Sequence, residues 1–159
     1  GAKEKKQAKH YSRKMLFAAY LCIWVVVLIT AVFSRQIIGF WQLSPETTEL
    51  TRSLILYHCV CAALVWPIGF VLPSIFRAAS DVKFPMVVSI VCMWLCRVAL
   101  CYVFAPEEMV IFGLTLPGLG MGVMGVWVAM TADWAVRVVL YSWRYFSGRW
   151  LSVYDKLEA

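Results

Sequence analysis

The sequence predicts an all-α membrane protein with four transmembrane helices, and three observations lead there. Residues 15–33, 53–76, 84–104 and 119–143 are uninterrupted apolar stretches, each carrying at most two Asp, Glu, Lys, Arg or His side chains. A hydrocarbon core about 30 Å thick needs about 20 residues of helix to cross it, and each stretch is of that order. Composition agrees: 62% of the 159 residues are hydrophobic and 15% are charged, against roughly 25% in soluble domains. Finally, none of the stretches alternates apolar and polar residues, as the strands of a membrane barrel do. In lipid the backbone must satisfy its own donors and acceptors, so a helical bundle remains.

Charge placement orients the bundle. Residues 1–14 form a basic segment with Lys3, Lys5, Lys6, Lys9, Arg13 and Lys14. Arg77 and Lys83 flank the short loop 77–83, and Arg144, Arg149 and Lys156 lie in the tail 144–159. These three segments share one side of a four-span bundle. The other side, 34–52 and 105–118, sets Arg35 and Arg52 against Glu46, Glu49, Glu107 and Glu108. Excess Lys and Arg stays cytoplasmic, so both ends are expected in the cytoplasm, with the chain crossing the plasma or inner membrane. The net charge of +6 is then a grip on anionic headgroups, not a nucleic-acid site.

The first span follows the basic run directly. It is too long for a signal peptide and ends in no small-x-small cleavage site, so it is kept as a true span. Gly1-Ala2 is not an initiator, and the chain is expected to be a piece of a longer protein. Ile37, Ile38, Phe40 and Trp41 suit a segment lying at the outer interface. The second helix has clear start signals: Ser44 to cap it, Pro45 at the first position, and Glu46 and Glu49 at the positive end of the dipole.

Within the second span Pro67 removes the hydrogen bond to the Ala63 carbonyl, and Pro73 removes that to Gly69. Kinks are expected at both. Unpaired backbone in a membrane is tolerated only against protein or a water-filled cavity, so Pro67, with neighbouring Trp66 and with His58, is a pathway candidate. Arg97 is the ionisable group of the third span. Counting about 1.5 Å per residue from the outer ends puts His58 and Arg97 in one layer about 10 Å deep.

On the fourth span, about 100° per residue gathers Gly118, Gly122, Gly125, Ala129 and Ala132 on one face, where a helix can approach closely. Val123, Trp127, Trp134 and Tyr141 are assigned to the lipid face. Asp133 and Arg137, one turn apart, form an expected structural ion pair on the small-residue face. The same count leaves Asp133 deeper than Arg97, and the two are not expected to pair. The run Gly120-x-Gly122-x-x-Gly125 matches a dinucleotide fingerprint in form, but it lacks the preceding strand and the later acidic residue.

Other chemistry finds little support. All six cysteines, Cys22, Cys59, Cys61, Cys92, Cys96 and Cys101, fall in spans with no Cys-x-x-Cys pair, which argues for packing rather than redox or metal chemistry. The loops contain no nucleophile-base set, so no enzyme activity, metal or organic cofactor is expected.

The run Trp66-Pro67, Leu72-Pro73, Phe76-Arg77-Ala78-Ala79-Ser80-Asp81-Val82-Lys83-Phe84-Pro85-Met86, Ser89, Met93-Trp94 and Arg97 resembles the C-terminal lobe of multidrug and toxic compound extrusion (MATE) transporters. Gly125-Val126-Trp127-Val128-Ala129-Met130 and Asp133-Trp134 with Arg137 extend the likeness, and Gly1-Ala2-Lys3 with Ala8-Lys9 is similar to the loop entering that lobe's third helix. The resemblance implies twelve helices in two six-helix lobes, of which this chain is the last four. It also implies export of organic cations or amphipathic drugs in exchange for Na+ or H+, with lipid and the remaining helices as partners. Family members that bind the coupling cation in this lobe use acids on its first, second and fourth helices; the span holding His58 and Trp66 corresponds to the fourth and carries no carboxylate, and the first two are expected to lie outside this sequence, so that site is not transferred here. A non-transporting tetraspan membrane scaffold or small membrane protein is the alternative.

Overall fold

The computed structural model describes residues 5–111 and 113–152; Lys3, Lys156 and the Gly1-Ala2-Lys3 run lie outside them. Along the chain come α1 (Lys5–Val32), α2 (Ser34–Gly39), α3 (Pro45–Ala78) and α4 (Lys83–Cys92), then a π-helical turn (Met93–Val98) and α5 (Ala99–Phe104). A hairpin of β1 (Glu108–Ile111) and β2 (Leu114–Pro117) precedes α6 (Gly122–Phe146) and a 3-10 turn (Arg149–Leu151). Among the described residues four helices are long and apolar enough to cross a membrane: Lys5–Val32, Pro45–Ala78, Lys83–Phe104 (α4, the π turn and α5 together) and Gly122–Phe146. The chain therefore has the all-α fold of a multi-pass membrane protein. By contacts it forms two units, Gly1–Val71 and Leu72–Ala159.

In the first unit the helix of α1 already begins inside the basic run. The most apolar window of α1 has no buried residue, which suits a helix whose sides meet lipid or further protein. α3 starts where the capping signals put it. The Ser44 hydroxyl accepts the Thr47 amide at 3.3 Å, and the Ser44 carbonyl accepts the Thr48 amide at 2.9 Å. The helix then runs through Pro67 and Pro73 without an assigned break. The Ala63 carbonyl, deprived by Pro67 of its usual donor, accepts Trp24 Nε1 of α1 at 3.1 Å, and Tyr20 Oη donates to the neighbouring Leu64 carbonyl at 3.1 Å. The proline thus creates an acceptor that α1 reaches.

Trp24→Phe is expected to cost about 1 kcal/mol, the net value of one such bond. In a Pro67→Ala background the restored amide serves the Ala63 carbonyl, and the cost should shrink. A thermal-denaturation cycle on the complete protein reads that coupling; simple additivity would refute the latch.

In the second unit, α3 closes with a Schellman motif. Ser80 takes φ +65°, its amide donates to the Arg77 carbonyl at 3.0 Å, and the Asp81 amide reaches back to Phe76 at 2.9 Å. That cap aims Asp81 at Arg144 of α6, whose Nε donates to Oδ2 at 2.9 Å while its guanidinium lies 4.8 Å over the Phe84 ring. Phe76, fully buried, meets Phe84 and Tyr141 edge-on at 6.4 and 6.0 Å. After Gly148, at φ +70°, the chain turns back and buries Trp150 against Tyr145.

The segment 105–118, read as loop from sequence, is an ordered cap. β1 and β2 pair antiparallel from Glu108 opposite Pro117 to Ile111 opposite Leu114, with Gly113 at φ +82°. Five successive amides then satisfy the carbonyls of residues 103–107: three at the end of α5, which lack intrahelical partners, and two in the turn just beyond it. Gly118 donates to Glu107, Leu119 to Val103, Gly120 to Pro106, Met121 to Phe104 and Gly122 to Ala105, all at 2.8–3.0 Å. A side chain at Gly118 would put its Cβ against the Pro106 carbonyl oxygen. The glycine run that imitates a nucleotide motif therefore serves to seat the end of α5.

The helical-wheel assignment of aromatic residues to lipid needs correction. Trp134 and Tyr141 are buried, together with Gly125, Ala129 and Asp133. Residues four apart advance by about 40° around a helix, so the contact stripe drifts along α6 and reaches Tyr141 at its far end.

Candidate functional site

Apolar packing explains most of the second unit, but not the charges enclosed in it. Asp133, on the buried stripe of α6, has no exposed surface. Arg137, one turn on, donates from Nε to Asp133 Oδ1 at 2.8 Å and from Nη2 to the Ser89 carbonyl of α4 at 3.1 Å. Arg97, from the π turn, donates from Nη2 to Asp133 Oδ2 at 2.8 Å. Each carboxylate oxygen thus has its own guanidinium, and charge-assisted bonds of this length are the strong kind.

The Arg97–Asp133 bond overturns the expectation that depth separates them. Residues 119–121 are not helical: α6 starts at Gly122, and Gly125 packs against the Phe104 and Ala105 backbone. Counted from that contact, Asp133 is eight residues along α6 and Arg97 is seven residues back from Phe104. At about 1.5 Å per residue the two depths agree to within about 2 Å. The π turn supplies the direction. The Ala99 amide reaches back five residues to the Trp94 carbonyl, inserting in effect one residue and advancing the helix phase by about 100°. The buried series Pro85, Val88, Cys92 would continue to Leu95 in an unbroken α-helix, yet Leu95 is exposed and Arg97 meets α6 instead.

Below the cluster a second polar layer ties α4 to α6. Tyr141 Oη donates to the Pro85 carbonyl at 3.3 Å and lies 3.0 Å from Ser89 Oγ, so Ser89 links both layers through its hydroxyl and its carbonyl. Two helices bridged this way are held in one register, because each polar group loses its partner if α6 slides by a residue.

The family model MatE matches residues 1–103, nearly two thirds of the chain. The chain belongs to the MatE family. In Bacillus subtilis (strain 168) this MatE chain is similar to the uncharacterized transporter YisQ, 26% identical over 151 residues, which is 95% of the chain and 30% of that protein. It is also similar to the probable multidrug resistance protein YoeA, 24% identical over 140 residues, 88% of the chain and 28% of that protein. The MatE chain thus spans less than a third of the length of these curated relatives. No solved structure matches it.

The remaining candidates of this MatE chain fall on α3. His58 and Trp66 are half-buried and Pro67 is buried; Trp66 stacks on Phe70 with centroids 5.0 Å apart. Trp24, Ser89 and Tyr141 escaped the sequence reading of the site. For Trp24 a signal existed in the carbonyl exposed by Pro67, since a buried acceptor in lipid needs a donor from somewhere. For Ser89 and Tyr141 no local signal distinguishes them from ordinary span residues.

Among the described residues no group of three His, Cys, Asp or Glu side chains is placed to hold a metal ion. What the cluster can do chemically is fix helix register and present positive charge inside an apolar layer.

Proposed function

We propose that this chain is the last four helices of a twelve-helix, two-lobe exporter that moves organic cations or amphipathic toxins outward in exchange for Na+ or H+. The observation that carries the reading is membership of the MatE family combined with a charged cluster enclosed between apolar helices. Intramembrane charge is expensive and is kept where a solute or ion route needs it. In this reading the ends of the segment face the cytoplasm, as the basic run and Arg77, Lys83, Arg144 and Arg149 suggest by the positive-inside rule. His58, Trp66 and Pro67 of α3 are pathway candidates, Arg97 is another, and Asp133 with Arg137 acts as the structural clamp.

The test is efflux of a fluorescent organic cation from cells expressing the complete gene, with the sodium or proton gradient collapsed in turn. Gradient-dependent export above the empty vector supports the reading. Accumulation equal to the empty vector under every gradient would leave a non-transporting membrane scaffold as the better account.

A further inference from the structure

The charges of the cluster do not balance. One carboxylate stands between two guanidiniums, and the surplus positive charge lies on its open side: the Arg97 side chain is 37% exposed, Arg137 13% and Asp133 not at all. Arg97 Nε is moreover buried with no acceptor among the described residues. A long arginine in a membrane commonly extends its head to the headgroups, but here Nη2 is held at Asp133 and the side chain cannot leave. Nε is on the enclosed side, so the edge that remains open is that of the terminal nitrogens; a guanidinium fixed at one edge and open at another is the arrangement of an anion receptor.

The same helix face supplies an apolar neighbour. Cys101 and Ala105, four and eight residues beyond Arg97, line an open groove of about 450 Å³ together with Tyr102 and Pro106. Charge at one end and apolar surface toward the other match an amphipathic molecule with an acidic head.

We propose that Arg97 is the recognition point for an anionic group, a carboxylate or sulfonate, on the amphipathic solute that this transporter moves. Asp133 positions the guanidinium and takes up one of its donors; the solute's acid accepts from the edge left open. The proposal rests on the exporter reading and adds a solute class to it, since a permanent cation gains nothing from this site and a zwitterion gains the pairing.

The test uses the complete transporter in everted membrane vesicles with two probes of one skeleton, a rhodamine bearing a free carboxylate and its methyl ester. The wild type is expected to move the acid, and Arg97→Gln to lower the acid-to-ester transport ratio about tenfold, as loss of a charge-assisted bond predicts. Arg97→Lys, which keeps the charge without the planar fork, should restore part of that ratio. A purely structural arginine would lower both probes together, and an unchanged ratio overturns the proposal. So does a wild type that moves the ester and not the acid. Transport of neither probe by the wild type overturns the exporter reading itself.

Discussion

Asp133→Asn is expected to destabilise the complete protein by about 3–5 kcal/mol, the usual cost of removing one partner from a buried ion pair. The substitution is nearly isosteric, so packing on the Ala129 side of α6 is kept. What disappears is the one charge facing Arg97 and Arg137, each bonded to a separate oxygen of it at 2.8 Å. Two guanidiniums then repel across the space that held them together. The melting temperature of purified protein in lipid nanodiscs measures the loss, and a change of less than about 1 kcal/mol would mean that water already solvates the site.

The second large effect concerns Gly125. A Cβ built there would stand 2.7 Å from both the carbonyl carbon and the oxygen of Phe104, and 2.9 Å from the Ala105 nitrogen. These are backbone atoms, pinned because the Phe104 and Ala105 carbonyls accept the Met121 and Gly122 amides. They cannot move aside as a flexible side chain would. Gly125→Val is therefore expected to cost about 3 kcal/mol, the upper end for overpacking, by wedging α5 from α6 and lifting Asp133 from the level of Arg97. Gly39→Ala, where nothing lies within 4 Å and φ is not positive, is the control and should leave the melting temperature unchanged. Equal melting temperatures for the two variants would show that the α5–α6 seam is looser than the structure has it.

The four spans were legible because hydropathy over about 20 residues reports the solvent, whatever the helices pack against. The start of α3 was legible as well, since Ser44 and Pro45 act through bonds to their own neighbours. The partner of Arg97 was not, for two separable reasons. Hydropathy cannot see that Leu119 to Met121 leave the helix to cap α5, and counting them as span put Asp133 too deep. Nor can an assumed constant phase register the π turn, which directs Arg97 where Leu95 would otherwise point. Trp134 and Tyr141 were misplaced for a different reason: the buried stripe drifts around the regular helix α6, so no single face stays toward lipid along its length. Proline 67 shows a third limit: Pro67 announces a carbonyl without a donor, but that Trp24 would answer it depends on a helix more than thirty residues away.

Arg97, Asp133 and Arg137 act as one charge cluster between the apolar helices. A double-mutant cycle on the complete protein in lipid, combining Arg97→Gln with Asp133→Asn, measures it by thermal stability. Removing Arg97 alone leaves a balanced pair, whereas removing Asp133 alone strands two arginines. The double variant should therefore be more stable than Asp133→Asn by itself, with a coupling of at least about 1 kcal/mol. Effects that add to within about 0.5 kcal/mol would show that Arg97 and Asp133 do not sense each other.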